Sequence, residues 1–131
     1  DAMFPLLFYQ HGSITSATGI ELDPFWVDFS NKLNHYWDWK SSLGNADIFT
    51  LPSAGVIVNT SCEHMSDAWL DAVAPGTLVC AQSTDYQHPT HINTVNSLGE
   101  FIEKWSNFSI LDCDSSKYDV YSRFTLIAIK K

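Results

Sequence analysis

The densest group of reactive side chains in this sequence lies at 59–65, where Asn59, Thr60, Ser61, Cys62, Glu63, His64 and Met65 follow an apolar run at 54–58. A continuous apolar run of this kind is what a strand covered on both faces needs. In open α/β sheets, ligands bind just beyond the carboxyl ends of such strands, and few structural needs explain six consecutive polar side chains at that point. Cys62 is a nucleophile only if a neighbour such as His64 lowers its pKa; otherwise it is a buried, inert thiol.

A second candidate group is the segment 18–24, Thr-Gly-Ile-Glu-Leu-Asp-Pro, a short β-like stretch that ends on Glu21 and runs into a helix start. An acid at the tip of the second strand of an open α/β fold accepts hydrogen bonds from the two hydroxyls of a ribose. Its alternative role is that of a surface acid at a strand–helix junction. The glycine-rich turn expected roughly 20 residues earlier is not in the sequence, which opens in what reads as the helix after that turn. The third group is the polar stretch 83–96, holding Asp85, Tyr86, His88 and His91. Loops of that length in compact domains are usually functional or disordered. His88 and His91 are three apart, and with His64 and Asp85 they make a metal-dependent hydrolase the competing enzymatic reading.

The elements that must hold these groups alternate in type. Apolar residues at 3–8 ending on His11-Gly12 predict a helix remnant, and 17–22 a strand. Asp23-Pro24 supplies an N-cap and a first-turn proline for a helix in which Phe25, Trp26, Phe29, Leu33 and Trp37 recur at helical spacing. Strands are expected at 46–51, carrying Asp47, at 54–59 and at 77–82. A helix at 66–73 closes on Pro75-Gly76. Ser97 and Glu100 form a capping-box pattern for a helix at 97–105. The runs 108–113 and 120–129 predict an antiparallel hairpin turning at 114–117. Strands alternating with helices imply a mostly parallel sheet between helical layers.

With 131 residues and 45% hydrophobic content the chain is expected to be one globular domain. A formal charge of -8 with seven scattered basic residues offers no phosphate-neutralising footprint, so no nucleic-acid partner is expected. Three cysteines without a CxxC pair suit reduced thiols, and the cytoplasm is the expected compartment. No apolar stretch is long enough for a membrane span.

In order and spacing, the motifs together resemble a class I S-adenosylmethionine-dependent methyltransferase. They are Gly19-Ile20-Glu21-Leu22-Asp23-Pro24, Asn45-Ala46-Asp47-Ile48, the 56–65 segment, Pro75-Gly76-Thr77-Leu78-Val79 and Tyr121-Ser122-Arg123-Phe124-Thr125-Leu126-Ile127. The resemblance implies a Rossmann-like three-layer α/β sandwich with a C-terminal antiparallel hairpin, and S-adenosylmethionine as cofactor. It also implies a small-molecule methyl acceptor. Glu21 would bind the ribose, Asp23 would cap a helix or reach the same site, Asp47 would accept from the adenine amino group, and Ile48 would pack on the ring. Asn59 and Glu63 would position cofactor or substrate. His64 or Glu63 would take the acceptor's proton, since methyl transfer mainly requires alignment and deprotonation of the nucleophile. Tyr86 and His91 would contact the substrate from a lid. Arg123 would meet an anionic substrate or pair with an acid.

The family's sheet order is 3-2-1-4-5-7-6, and its first strand and glycine-rich motif are missing from the sequence. The chain therefore reads as one partial methyltransferase-like domain, with a non-catalytic partner role through unpaired strand edges as a further alternative. On this reading the 131-residue chain alone binds S-adenosylmethionine more weakly than micromolar. Calorimetry checks this, and micromolar affinity would overturn it.

Overall fold

Two adjacent residues fix where the first helix begins. Asp23, in extended backbone, accepts the Phe25 N–H at 2.8 Å through Oδ1, and Pro24 occupies the first helical position, where its missing N–H costs nothing. A computed structural model describes residues 16–35, 39–45 and 54–131. The chain forms two compact units, 1–49 and 50–131.

The first unit contains β1 (Ala17–Glu21), α1 (Pro24–Leu33) and β2 (Trp39–Leu43). The two strands pair in parallel, with Ala17 opposite Trp39 and Glu21 opposite Leu43. Helical spacing extends the expected helix to Trp37, but α1 ends at Leu33, where the Asn34 N–H closes on the Ser30 carbonyl. Trp37 lies outside the described residues, as do the expected helix at 3–8 and the expected strand at 46–51 with Asp47 and Ile48. The partner of β1 is β2, whose Trp-Lys-Ser-Ser-Leu sequence has no apolar run. Polar bonds seat it instead: the Asn31 side chain accepts the Ser41 N–H at 2.7 Å and donates to the Ser41 carbonyl at 3.0 Å. Ser41 and Ser30 hydroxyls meet at 2.9 Å. Phe25, Trp26 and Phe29, which recur at helical spacing, are exposed and pack on one another, with ring centroids 5.1 Å apart for Phe25–Trp26 and 5.7 Å for Trp26–Phe29.

The second unit contains β3 (Val56–Asn59), α2 (Trp69–Ala72), β4 (Leu78–Thr84), α3 (Leu98–Glu103), β5 (Phe108–Lys117) and β6 (Ser122–Lys130). Its sheet order is β3-β4-β6-β5. β3 and β4 are parallel, and β6 runs antiparallel to both of its neighbours. The two sheets reproduce the segments 3-2 and 4-5-7-6 of the expected order. The α/β class and the closing hairpin are as expected, while the mostly parallel character is present only in part.

Several boundaries differ from expectation for physical reasons. β3 pairs on one side among the described residues, and Val56 and Val58 are exposed rather than covered. The helix expected at 66–73 is the single turn α2. The Ser66 hydroxyl takes the Ala68 N–H and holds the preceding residues in a turn, and Pro75 lies just beyond its end. At Pro75-Gly76 the chain turns with Gly76 at φ 83° and Thr77 N–H bonded to the Ala74 carbonyl, the proline-then-glycine order of a type II turn. The hairpin turns at 118–121, where Tyr118 N–H reaches the Tyr121 carbonyl, and not at 114–117. Asp114–Lys117 continue β5, which among the described residues pairs only with β6 and is exposed along this stretch, so a polar sequence can remain strand.

Alternation on β6 buries Phe124, Leu126 and Ala128, which lie opposite Ser83, Ala81 and Val79 of β4. These residues form one core with Trp69, Phe101, Trp105 and Phe108. The Ser97 hydroxyl caps α3 by accepting the Glu100 N–H. Glu100 returns its bond to the N–H of Asn96, one residue before the cap. Leu126 has no solvent exposure, so Leu126→Ala should lower stability by about 2–5 kcal/mol, measured by urea denaturation.

Candidate active site

The chain leaves β3 through a turn built by Asn59. Its Oδ1 accepts the Ser61 N–H at 3.0 Å and its Nδ2 donates to the Met65 sulfur at 3.1 Å, so both ends of the amide are engaged within the turn. A 3-10 turn, Cys62–His64, follows. It turns the Glu63 side chain inward and leaves His64 exposed.

Glu63 is the hub of this region. Its carboxylate is buried, and Oε1 accepts from the Arg123 guanidinium at 3.1 Å. Oε2 is buried with no hydrogen-bond partner among the described residues. Its backbone carbonyl accepts the N–H groups of Ile92 at 2.9 Å and Asn93 at 3.1 Å, tying the 85–97 connection to the end of β3. Lys104 adds a second tie through Asn93 and an ion pair with Asp67 at 3.2 Å.

That connection brings the aromatic and imidazole groups together. His64 and His91 meet edge to face with ring centroids 4.5 Å apart. His64 Nδ1 lies 3.2 Å from the Thr90 carbonyl, and His91 Nδ1 lies 2.7 Å from the Tyr86 carbonyl. A carbonyl only accepts, so each Nδ1 carries a proton and each neutral ring keeps its lone pair on Nε2. His88 is engaged within its own loop, with Nδ1 2.9 Å from the Thr90 hydroxyl and 3.3 Å from the Thr90 N–H. Tyr86 is exposed and contacts His91 and Tyr121, each at 5.9 Å between ring centroids.

The sequence-selected residues are thus partly assembled. Glu63, His64, His91, Tyr86 and Arg123 belong to one group, with Arg123 paired to an acid. Asp85 serves the backbone, its Oδ1 accepting the Ser122 N–H at 2.6 Å. Burial pushes the Cys62 thiol up to about 12, with the neighbouring Glu63 charge acting in the same direction, so it is protonated near neutral pH. In the first unit, Glu21 Oε1 accepts the N–H groups of Leu22 and Asp23, and Asp23 caps α1. Asp47 and Ile48 lie outside the described residues. Sequence reasoning missed Tyr121, which stacks on Tyr118 across the hairpin turn at 4.8 Å. Its signals were its place at the head of the last-strand motif and the Tyr-x-x-Tyr spacing at 118–121.

No protein-family model matches the chain, and no curated protein matches its sequence. Solved structures do match its fold. The N-methyltransferase NodS from Bradyrhizobium japonicum WM9 aligns at a TM-score of 0.67 and 10% identity, covering 88% of this chain and 73% of that one. The TehB-like SAM-dependent methyltransferase from Corynebacterium glutamicum gives 0.67 and 13%, covering 94% and 72%. The protein solved in complex with the Haloferax volcanii Trm112 methyltransferase activator gives 0.77 and 10%, covering 98% and 78%. The chain has the Rossmann-like fold of class I S-adenosylmethionine-dependent methyltransferases. No helix among the described residues is long and apolar enough to cross a membrane.

Removing one partner of a buried ion pair strands the other charge. Arg123→Met should therefore cost on the order of 3 kcal/mol, and Glu63→Gln/Arg123→Met should recover much of the loss. Urea denaturation of the two variants checks this; equal stability of Arg123→Met and wild type would exclude the role given to the pair.

Proposed function

We propose that this chain is part of an S-adenosylmethionine-dependent methyltransferase acting on a small molecule, and that its 131 residues form one partial domain of that fold. One observation carries the reading: in a fold shared with solved methyltransferases, His64, His91 and Glu63 converge just beyond the carboxyl end of β3. Parallel strand ends of open α/β sheets are where such folds bind ligands.

In this reading His64 takes the proton of the acceptor. It is exposed, its Nδ1 is held by the Thr90 carbonyl, and its Nε2 has the lone pair a neutral base needs. Glu63, fixed by Arg123, orients the imidazole pair and the acceptor by charge. Tyr86 and His91 supply an apolar-faced wall for the substrate, and Arg123 contributes through Glu63. The cofactor-binding roles of Glu21, Asp23, Asp47, Ile48 and Asn59 rest on the family resemblance. The Glu21 Oε1 bonds to Leu22 and Asp23 leave Oε2 as the atom for a ribose hydroxyl. Three free cysteines among the described residues support a reducing, cytoplasmic setting.

The test uses the product of the complete open reading frame that contains this chain, incubated with S-adenosylmethionine and panels of small amines, phenols, thiols and carboxylates. Formation of S-adenosylhomocysteine dependent on one acceptor class is expected. His64→Gln should lower kcat by about 10²–10⁴ with cofactor affinity unchanged. Absence of cofactor binding and of S-adenosylhomocysteine formation by that protein would overturn the proposal.

A further inference from the structure

We infer that Glu63, His64 and His91 form a binding site for a divalent first-row transition metal ion, with His64 Nε2, His91 Nε2 and Glu63 Oε2 as its protein ligands. One ligand atom from each of the three residues lies within 4.8 Å of the other two. Two imidazole nitrogens and one carboxylate oxygen are a donor set that takes zinc with a position left open for water or substrate.

Two independent features of the structure point to a ligand here. The first is the state of the imidazoles. Both rings direct Nδ1–H to a backbone carbonyl, of Thr90 for His64 and of Tyr86 for His91, which fixes the tautomer with the lone pair on Nε2. Metal-binding histidines characteristically donate their second ring N–H to a carbonyl or carboxylate in this way. His88, three positions before His91, turns its Nδ1 to the Thr90 hydroxyl and lies outside the three-residue group.

The second feature is the carboxylate. Glu63 is 3% exposed, and its Oε2 is a buried oxygen with no partner among the described residues. A carboxylate oxygen left in that condition costs free energy unless a cation or donor reaches it. Arg123 binds the other oxygen, Oε1, which orients the carboxylate and leaves Oε2 for the ion. Cys62 is next in sequence to Glu63, but its thiol faces the Asn59 carbonyl at 3.7 Å and lies outside the three-residue group.

The site lies wholly in the second unit and does not depend on methyl transfer or on cofactor binding. It does compete with proton removal by His64, because the ion and the proton would use the same lone pair. A zinc-loaded site would present a metal-bound water in place of the imidazole base.

The experiment uses the full 131-residue chain without an affinity tag, stripped with chelator and dialysed. Zinc binding is followed by equilibrium dialysis with metal analysis, and cobalt(II) binding by visible absorption. The expected result is one ion per chain, with cobalt(II) displaced from the site by zinc and visible bands of nitrogen and oxygen coordination for the cobalt(II) form. His64→Ala and His91→Ala should each weaken binding at least about tenfold while keeping the wild-type circular dichroism spectrum, and His35→Ala should leave binding unchanged. Failure of wild type to retain zinc at micromolar free metal would overturn the proposal. So would binding indifferent to His64→Ala and His91→Ala, or a thiolate charge-transfer band in the cobalt(II) spectrum of the wild type.

Discussion

The ion pair between buried Glu63 and half-buried Arg123 is the constraint on which the candidate site depends. A carboxylate placed in a core is costly unless its charge is met, and Arg123 on β6 meets it from across the sheet. The same residue accepts two backbone N–H groups from the connection that follows β4. Three segments distant in sequence, the 3-10 turn after β3, the 85–97 connection and the start of β6, are thereby fixed to one residue.

The 85–97 connection illustrates how a segment without regular structure becomes ordered. Fixing each of its residues costs about 1–2 kcal/mol of backbone entropy, and no helix or strand ladder offsets that cost. Instead the Thr84 hydroxyl accepts the Tyr86 N–H, His91 N–H bonds the His88 carbonyl, Val95 N–H returns to the Thr84 carbonyl, and Glu63 accepts Ile92 and Asn93. Val95 is buried in the core at the far end. Those bonds also set the histidine tautomers, since the carbonyls of Tyr86 and Thr90 that face His91 and His64 belong to this connection. Order of the backbone and chemistry of the imidazoles are one arrangement.

The helical and turn signals were the most legible part of the fold. Asp23-Pro24, Pro75-Gly76 and the Ser97/Glu100 pair each mark an element boundary that the structure keeps, because caps and turns are made by residues adjacent in sequence. β2 was not legible: Trp-Lys-Ser-Ser-Leu is held by Asn31 and Ser30 of α1, a set of polar bonds that leaves no periodic trace. The far half of β5 was read as a turn for a related reason, since a strand paired on one side tolerates Asp, Ser and Lys. At the site, the polar density of 59–65 and the histidines of the following loop were visible as candidates. Their division into ligand-ready and engaged groups was not, because it depends on which carbonyl each ring nitrogen meets.

The sequence by itself determined the α/β class, the resemblance to class I methyltransferases, the helix caps and the polar segment after β3. These follow from short-range pattern: apolar periodicity, capping spacing and turn chemistry act between residues a few positions apart. Tertiary structure alone decided that Glu63 is buried against Arg123, that His64 pairs with His91 and not with His88, and that Asp85 serves the start of β6. Each of these links residues 26 to 60 positions apart or depends on a ring orientation, and folding chooses among such partners by burial and charge compensation, which no local spacing encodes.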